Sequence, residues 1–258
     1  MVQEVSSSMT GTATTRLGYL AVAAALLAGG CSGADDDTVL VLAAASLTDA
    51  FTSMAVEFEA ANPGIKVELS FAGSNSLSVQ VEQGAPGDAV ALADVVSINA
   101  LESAGLVDLP ITFASNSLAL AVPAGNPGDV MSINDLADPG LLVGVCAPSV
   151  PCGAYAELVL AAAGVSPSLD TEEPDVRSLV GKLATGELDV GLVYATDVRA
   201  FGDDLEVIAL PASIDVRAEY SIGLLDEAPN RAIGQHFIEF VTSARGQEIL
   251  QTAGFGPA

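Results

Sequence analysis

Repeated changes of apolar period limit this chain to a narrow set of folds. Val39-Leu40-Val41-Leu42-Ala43 is an unbroken apolar run, as a strand buried on both faces requires. From Leu47 the spacing widens: Leu47, Phe51, Met54, Ala55 and Phe58 share one side of a 3.6-residue spiral, with Glu57 and Glu59 off it. Asn62-Pro63-Gly64 stops that helix. Ile65, Val67, Leu69 and Phe71 then alternate with Lys66, Glu68 and Ser70, a half-buried strand. The exchange continues, with strands expected over 89–93, 117–122, 141–146 and 190–194. Helices are expected from Leu77, over 97–104, 154–163 and 175–184, around Phe237, and at Ile249-Leu250. In the 154–163 helix, Tyr155, Leu158, Val159 and Ala162 are expected inward. Such alternation argues for an α/β fold of parallel sheets with helices on both faces. Ligands of such sheets bind beyond the carboxyl ends of strands, at helix N-termini.

The first residues read as an address. Arg16 is the only cation in the first 30 residues; a short apolar run, Leu17 to Leu27, follows, then Ala28-Gly29-Gly30-Cys31. The run is too short to span a bilayer, which takes roughly 20 apolar residues, and it fits a secretory signal. It also resembles a bacterial lipoprotein signal, in which the cysteine becomes the lipidated first residue of the mature chain. The expected division is a signal over 1–30, lipidation at Cys31 and an acidic tether over 31–37. Cys146 and Cys152 then remain with five residues between them. An exported protein meets an oxidising environment, so a disulfide is the default for that pair.

Charge narrows the partners. With 33 acidic and 8 basic side chains the net charge is −25, and removing Glu4 and Arg16 with the signal leaves it unchanged. Too few cations remain to displace counterions from a nucleic acid or to hold anionic lipid through a basic face. An enzyme reading finds no support: the sequence has no Gly-x-Ser-x-Gly elbow, no Gly-x-Gly-x-x-Gly turn and one His, His236, beside Phe237 in an amphipathic helix.

Three strand-to-helix junctions carry small and hydroxyl residues. Ala43-Ala44-Ala45-Ser46 places Ser46 where a helix N-cap belongs. Phe71-Ala72-Gly73-Ser74 repeats the design, and Pro151-Cys152-Gly153-Ala154 opens the helix containing Tyr155. Asp175-Val176-Arg177 is a fourth helix start. Small side chains let backbone N–H groups reach a ligand, and the helix dipole favours negative charge there.

Taken in order, these segments resemble the periplasmic molybdate-binding proteins of ABC uptake systems. The resemblance rests on 43–50, 71–74, Gly84-Ala85-Pro86-Gly87-Asp88 with Ala93-Asp94, Asn116-Ser117-Leu118, 150–156, 175–177, Gly191-Leu192-Val193-Tyr194 and Gly254-Phe255. It implies a type II periplasmic-binding-protein fold with two α/β lobes of mixed, mainly parallel sheets, 38–116 plus 211–258 and 117–210, joined by two crossovers near Asn116 and Pro211. It implies an oxyanion site in which Ser46 and Ser74 give hydroxyl and amide, Cys152 and Val176 amides, and Tyr194 its phenol. It implies molybdate or tungstate as ligand, an ABC permease as partner, a monomer, no cofactor, no resident metal and a periplasmic or cell-surface location. A Cys146–Cys152 bridge would pin a ligand loop. Every group in the set is a donor, which suits a fully deprotonated tetrahedral dianion: molybdate, tungstate or sulfate. A protonated phosphate would leave a proton facing donors, at about 1–3 kcal/mol. Of the remaining charged residues, Arg177 is expected in a surface or inter-strand ion pair, Asp49 at the first helix's N-terminal dipole, and Asp88 and Asp94 in turns or caps.

Overall fold

The computed structural model describes residues 37–211, 213–214 and 216–258. The expected signal over 1–30, Cys31 and all but the end of the tether lie outside the described residues.

The chain runs β1 (Thr38–Ala44), α1 (Thr48–Ala61), β2 (Lys66–Ala72), α2 (Ser74–Glu82), β3 (Ala89–Leu92), α3 (Val95–Ser103) and the long β4 (Val107–Pro123). It continues with β5 (Val143–Cys146), α4 (Pro151–Ala163), β6 (Leu169–Glu173), α5 (Val176–Ala184), β7 (Val190–Tyr194), α6 (Ala195–Phe201) and β8 (Leu205–Ile208). The last elements are β9 (Arg217–Leu225), α7 (Arg231–Thr242) and α8 (Ala244–Ala253). Strand order is β2-β1-β3-β9-β4-β7-β5-β6, with β8 also on β4. The helix-linked strands pair in parallel: β1 with β2 and β3, β5 with β6 and β7. The returning strands β4 and β9 add antiparallel pairs. β4 changes neighbours along its length. Its residues up to Ser117 pair with β9, and from Leu118 onward they pair with β7 and β8.

Several elements differ from the sequence expectation. The strand expected over 117–122 begins at Val107, and β6, β8, β9 and α6 are additional. In α4, Leu158 and Ala162 face solvent, while Ala156, Val159 and Leu160 are buried. Leu158-Val159-Leu160 are consecutive and the helix is otherwise rich in alanine, so its inward face has little contrast to read.

The core between α1 and α7 is aromatic. The Phe58 ring lies 5.3 Å from Phe237 and 5.6 Å from Phe240, and 5.1 Å from the imidazole of His236, so His236 is part of the packing. Phe58 is fully buried. Phe58→Ala should therefore cost about 3–5 kcal/mol, read as a lower urea midpoint at unchanged slope.

Candidate functional site

Strand ends and helix starts converge on one small cavity. Ala44, Ala45, Ser46, Gly73, Ser74 and Ala93 line it from the β1–β3 side. Val150, Pro151, Cys152, Asp175, Val176 and Tyr194 line it from the β5–β7 side. Ser46, Ser74, Cys152, Val176 and Tyr194, far apart in the chain, thus share one wall-to-wall space. About 20 Å³ is open to the centre of a water molecule. Adding the water radius gives a roughly spherical guest about 3 Å in radius, the scale of one tetrahedral oxyanion.

The donors reach this space by different routes. Ser74 and Val176 are the first residues of α2 and α5, and Cys152 follows Pro151 at the start of α4. First-turn N–H groups have no carbonyl one turn back to bond, and Pro151 has no N–H, so Cys152 carries the first amide donor of α4. The Ser74 hydroxyl accepts a 3.0 Å hydrogen bond from the Ala93 N–H, which leaves its own proton free. Ser46 does not cap a helix as its position suggested. A 3₁₀ turn, Ala45–Leu47, precedes α1, and the Ser46 hydroxyl lies 2.9 Å from that of Tyr220. The Tyr194 hydroxyl is buried without a hydrogen-bond partner among the described residues. Burial pushes its pKa well up, so the phenol stays a donor. Asp175 lines the cavity, but its carboxylate is occupied. It accepts from the Ser178 N–H at 2.9 Å and the Ser178 hydroxyl at 3.0 Å, capping α5.

Close contacts hold the frame. Cys146 and Cys152 form a disulfide with Cα atoms 5.6 Å apart, tying the end of β5 to the first turn of α4. A Cβ on Gly153 would stand 2.0 Å from the Ala147 carbonyl oxygen, and one on Gly73 would stand 2.7 Å from that of Pro174. Backbone from the two sides meets at Gly73, and only glycine allows it.

Apart from the capping carboxylate of Asp175, no charged residue among those described lines the cavity. Arg177 is absent from the cavity lining and pairs with Asp49, with its Nε 3.0 Å from Asp197. It thus bridges α1, α5 and α6, an ion pair between helices. Asp88 accepts from the Leu40 and Asn230 N–H groups, and Asp94 caps α3 through the Ser97 N–H. Sequence reading passed over Tyr220 and Asp197. Arg217 and Glu219 are exposed while Ala218 and Tyr220 are buried, an alternation that marks this strand. Asp197, three residues after Tyr194, has no sequence signal.

Two outcomes follow. Removing an unpaired buried hydroxyl spares its desolvation cost, so Tyr194→Phe should stabilise the ligand-free protein by about 1–3 kcal/mol while weakening anion binding. Thermal melts with and without ligand separate the two effects, and a destabilised free protein would contradict the orphan donor. Burial raises the Asp197 carboxyl from 3.8 to about 7, with Arg177 opposing. The folded state then holds this proton more tightly than the unfolded state, so the group's contribution falls as pH rises from about 4 to about 7. Asp197→Asn removes that slope. Its melting temperature relative to wild type should be higher at about pH 8 than at about pH 5, by calorimetry.

Comparison with known proteins gives the family and the fold. The family model described as bacterial extracellular solute-binding protein matches residues 39–256. A protein of Mycobacterium bovis named molybdate-binding protein ModA is 35% identical over 219 residues, 84% of each chain. The solved periplasmic molybdate-binding protein of Azotobacter vinelandii superposes with a TM-score of 0.74 at 20% identity, covering 85% of this chain and 99% of that one. The sulfate-binding protein SubI of Mycobacterium tuberculosis gives 0.76, also at 20%, covering 86% and 87%. At that identity both show a shared periplasmic-binding-protein fold. The family match and the 35% identity go further: this chain belongs to the bacterial extracellular solute-binding proteins.

Proposed function

We propose that this protein captures molybdate, or tungstate, outside the cytoplasm and delivers it to an ABC permease. The observation that carries the reading is the buried, unpartnered Tyr194 hydroxyl in a cavity of hydroxyl and helix-start amide donors. A small ion with acceptors on every side satisfies that set. The names of the relatives supply the element: the 35% identical protein is called molybdate-binding.

The capture cycle rests on two lobes, 38–116 plus 211–258 and 117–210. The change of β4 partners between Ser117 and Leu118 supports a boundary there, and the lining of the cavity from both sides supports closure around the anion. Cys31 would carry the lipid that keeps the protein at the membrane, and the protein would act as a monomer without a cofactor.

Thermal unfolding against sodium molybdate, tungstate, sulfate and phosphate tests the reading. Ligand at a hundred times its dissociation constant adds about 2.7 kcal/mol. Molybdate and tungstate should raise the melting temperature and phosphate should not. A rise with sulfate alone would reassign the ligand, and no rise with any oxyanion would refute capture.

A further inference from the structure

Behind the cavity wall lies a buried polar chain that capture alone does not account for. Tyr220, on β9, is fully buried, and Asn116, on β4, is buried. Asn116 Nδ2 donates to Thr196 Oγ1 at 2.8 Å and to the Tyr220 hydroxyl at 3.4 Å, and Asn116 Oδ1 accepts from the Ser117 N–H at 3.0 Å. That last bond fixes the amide: flipping it would set NH₂ against an N–H. Among the described residues the Tyr220 hydroxyl has two hydrogen-bond partners, Asn116 Nδ2 and Ser46 Oγ. An amide NH₂ has no lone pair to accept with, so the phenolic proton has one destination, Ser46 Oγ. Burial raises the Tyr220 pKa, which keeps that proton in place. Ser46 Oγ is therefore an acceptor from behind, and its own proton is left for the cavity it lines.

We infer that Tyr220 and Asn116 are positioning residues that fix Ser46 as a donor to the bound anion, and so set the site's preference for oxyanions that carry no proton. The inference rests on the capture reading and adds to it. Ser74 is polarised in the same sense by the Ala93 N–H, but by backbone, which no substitution of a side chain can redirect. At Ser46 the direction comes from side chains and is open to test. Without the Tyr220 proton, Ser46 is free to rotate and to accept, and a protonated oxyanion meets a partner where it met a donor.

The experiment is a double-mutant cycle on the full chain by calorimetric titration with sodium molybdate, using wild type, Ser46→Ala, Tyr220→Phe and the double variant. Phenylalanine keeps the ring that packs against Phe113, Tyr194 and Phe255. Tyr220→Phe should weaken molybdate about tenfold, the scale of one hydrogen bond to a charged group, and should weaken it no further in the Ser46→Ala background. A general packing defect would weaken both backgrounds alike. Sodium phosphate should compete with molybdate relatively better in Tyr220→Phe than in wild type. Wild-type affinity in Tyr220→Phe, losses that multiply in the double variant, or unchanged phosphate competition would each overturn the inference while leaving capture standing. A wild type that binds no oxyanion would overturn capture, and this inference with it.

Discussion

In a chain with a net charge of −25, the proposed site would hold its anion through dipoles that cannot turn away. In water a hydroxyl or amide reorients freely and gains little from any one ion. Fixed at a helix start or in a buried hydrogen-bond chain, the same group points at the ligand before it arrives, and no ordering cost falls on binding. In the proposed site the first turns of α2, α4 and α5 and the hydroxyls of Ser46, Ser74 and Tyr194 would be such groups. Most of the local architecture serves that fixing: the disulfide at the start of α4, the Asp175 cap on α5 and the glycine contact at Gly73. The surface charge acts at longer range, where physiological salt screens over about 8 Å. The acidity is then compatible with an anionic ligand, and it reads as a solubility trait of an exported protein.

The same logic explains why Arg177 stays outside the cavity although it adjoins Val176. A guanidinium attracts any anion and discriminates poorly between protonation states. Donors of fixed direction count lone pairs, so they reject a ligand that brings its own proton. Here the cation is paired with Asp49 and Asp197 outside the cavity lining, where it ties helices together, and in the proposed site neutral dipoles would do the selecting.

The sequence was most legible where structure is local. The junctions at Ser46 and Ser74 are short patterns of small and hydroxyl residues at the end of an apolar run, so these two are visible as candidates before any fold is known, while Cys152, Val176 and Tyr194 enter only through the family resemblance. Leu158 was misplaced because three apolar neighbours in an alanine-rich helix carry no phase. The role of Ser46 was misread for a different reason. Its partner Tyr220 is 174 residues away, brought there by β9 lying between β3 and β4, and no periodicity in either segment encodes that pairing. Antiparallel return strands are set by what they pack against, and so the polar chain from Asn116 through Tyr220 to Ser46 appears only once the sheet is assembled.

That chain also bears on release. In the proposed cycle the donors divide between lobes: Ser46 and Ser74 on one, Cys152, Val176 and Tyr194 on the other. A ligand shifts an equilibrium only by its differential affinity for the two states, and here the differential is the set of donors that reach the anion when the lobes meet. An open form keeps the two serines and loses the rest, so separating the lobes weakens binding without disturbing any single donor. Asn116 sits on β4 at the proposed crossover and bonds Thr196 on α6 as well as Tyr220. Its amide therefore spans the boundary about which the lobes would turn. Opening that breaks the Thr196 contact leaves the Asn116–Tyr220–Ser46 relay intact, because all three residues lie on the first lobe. Ser46 then keeps its orientation in the open state, and an incoming oxyanion meets a donor already aimed at it.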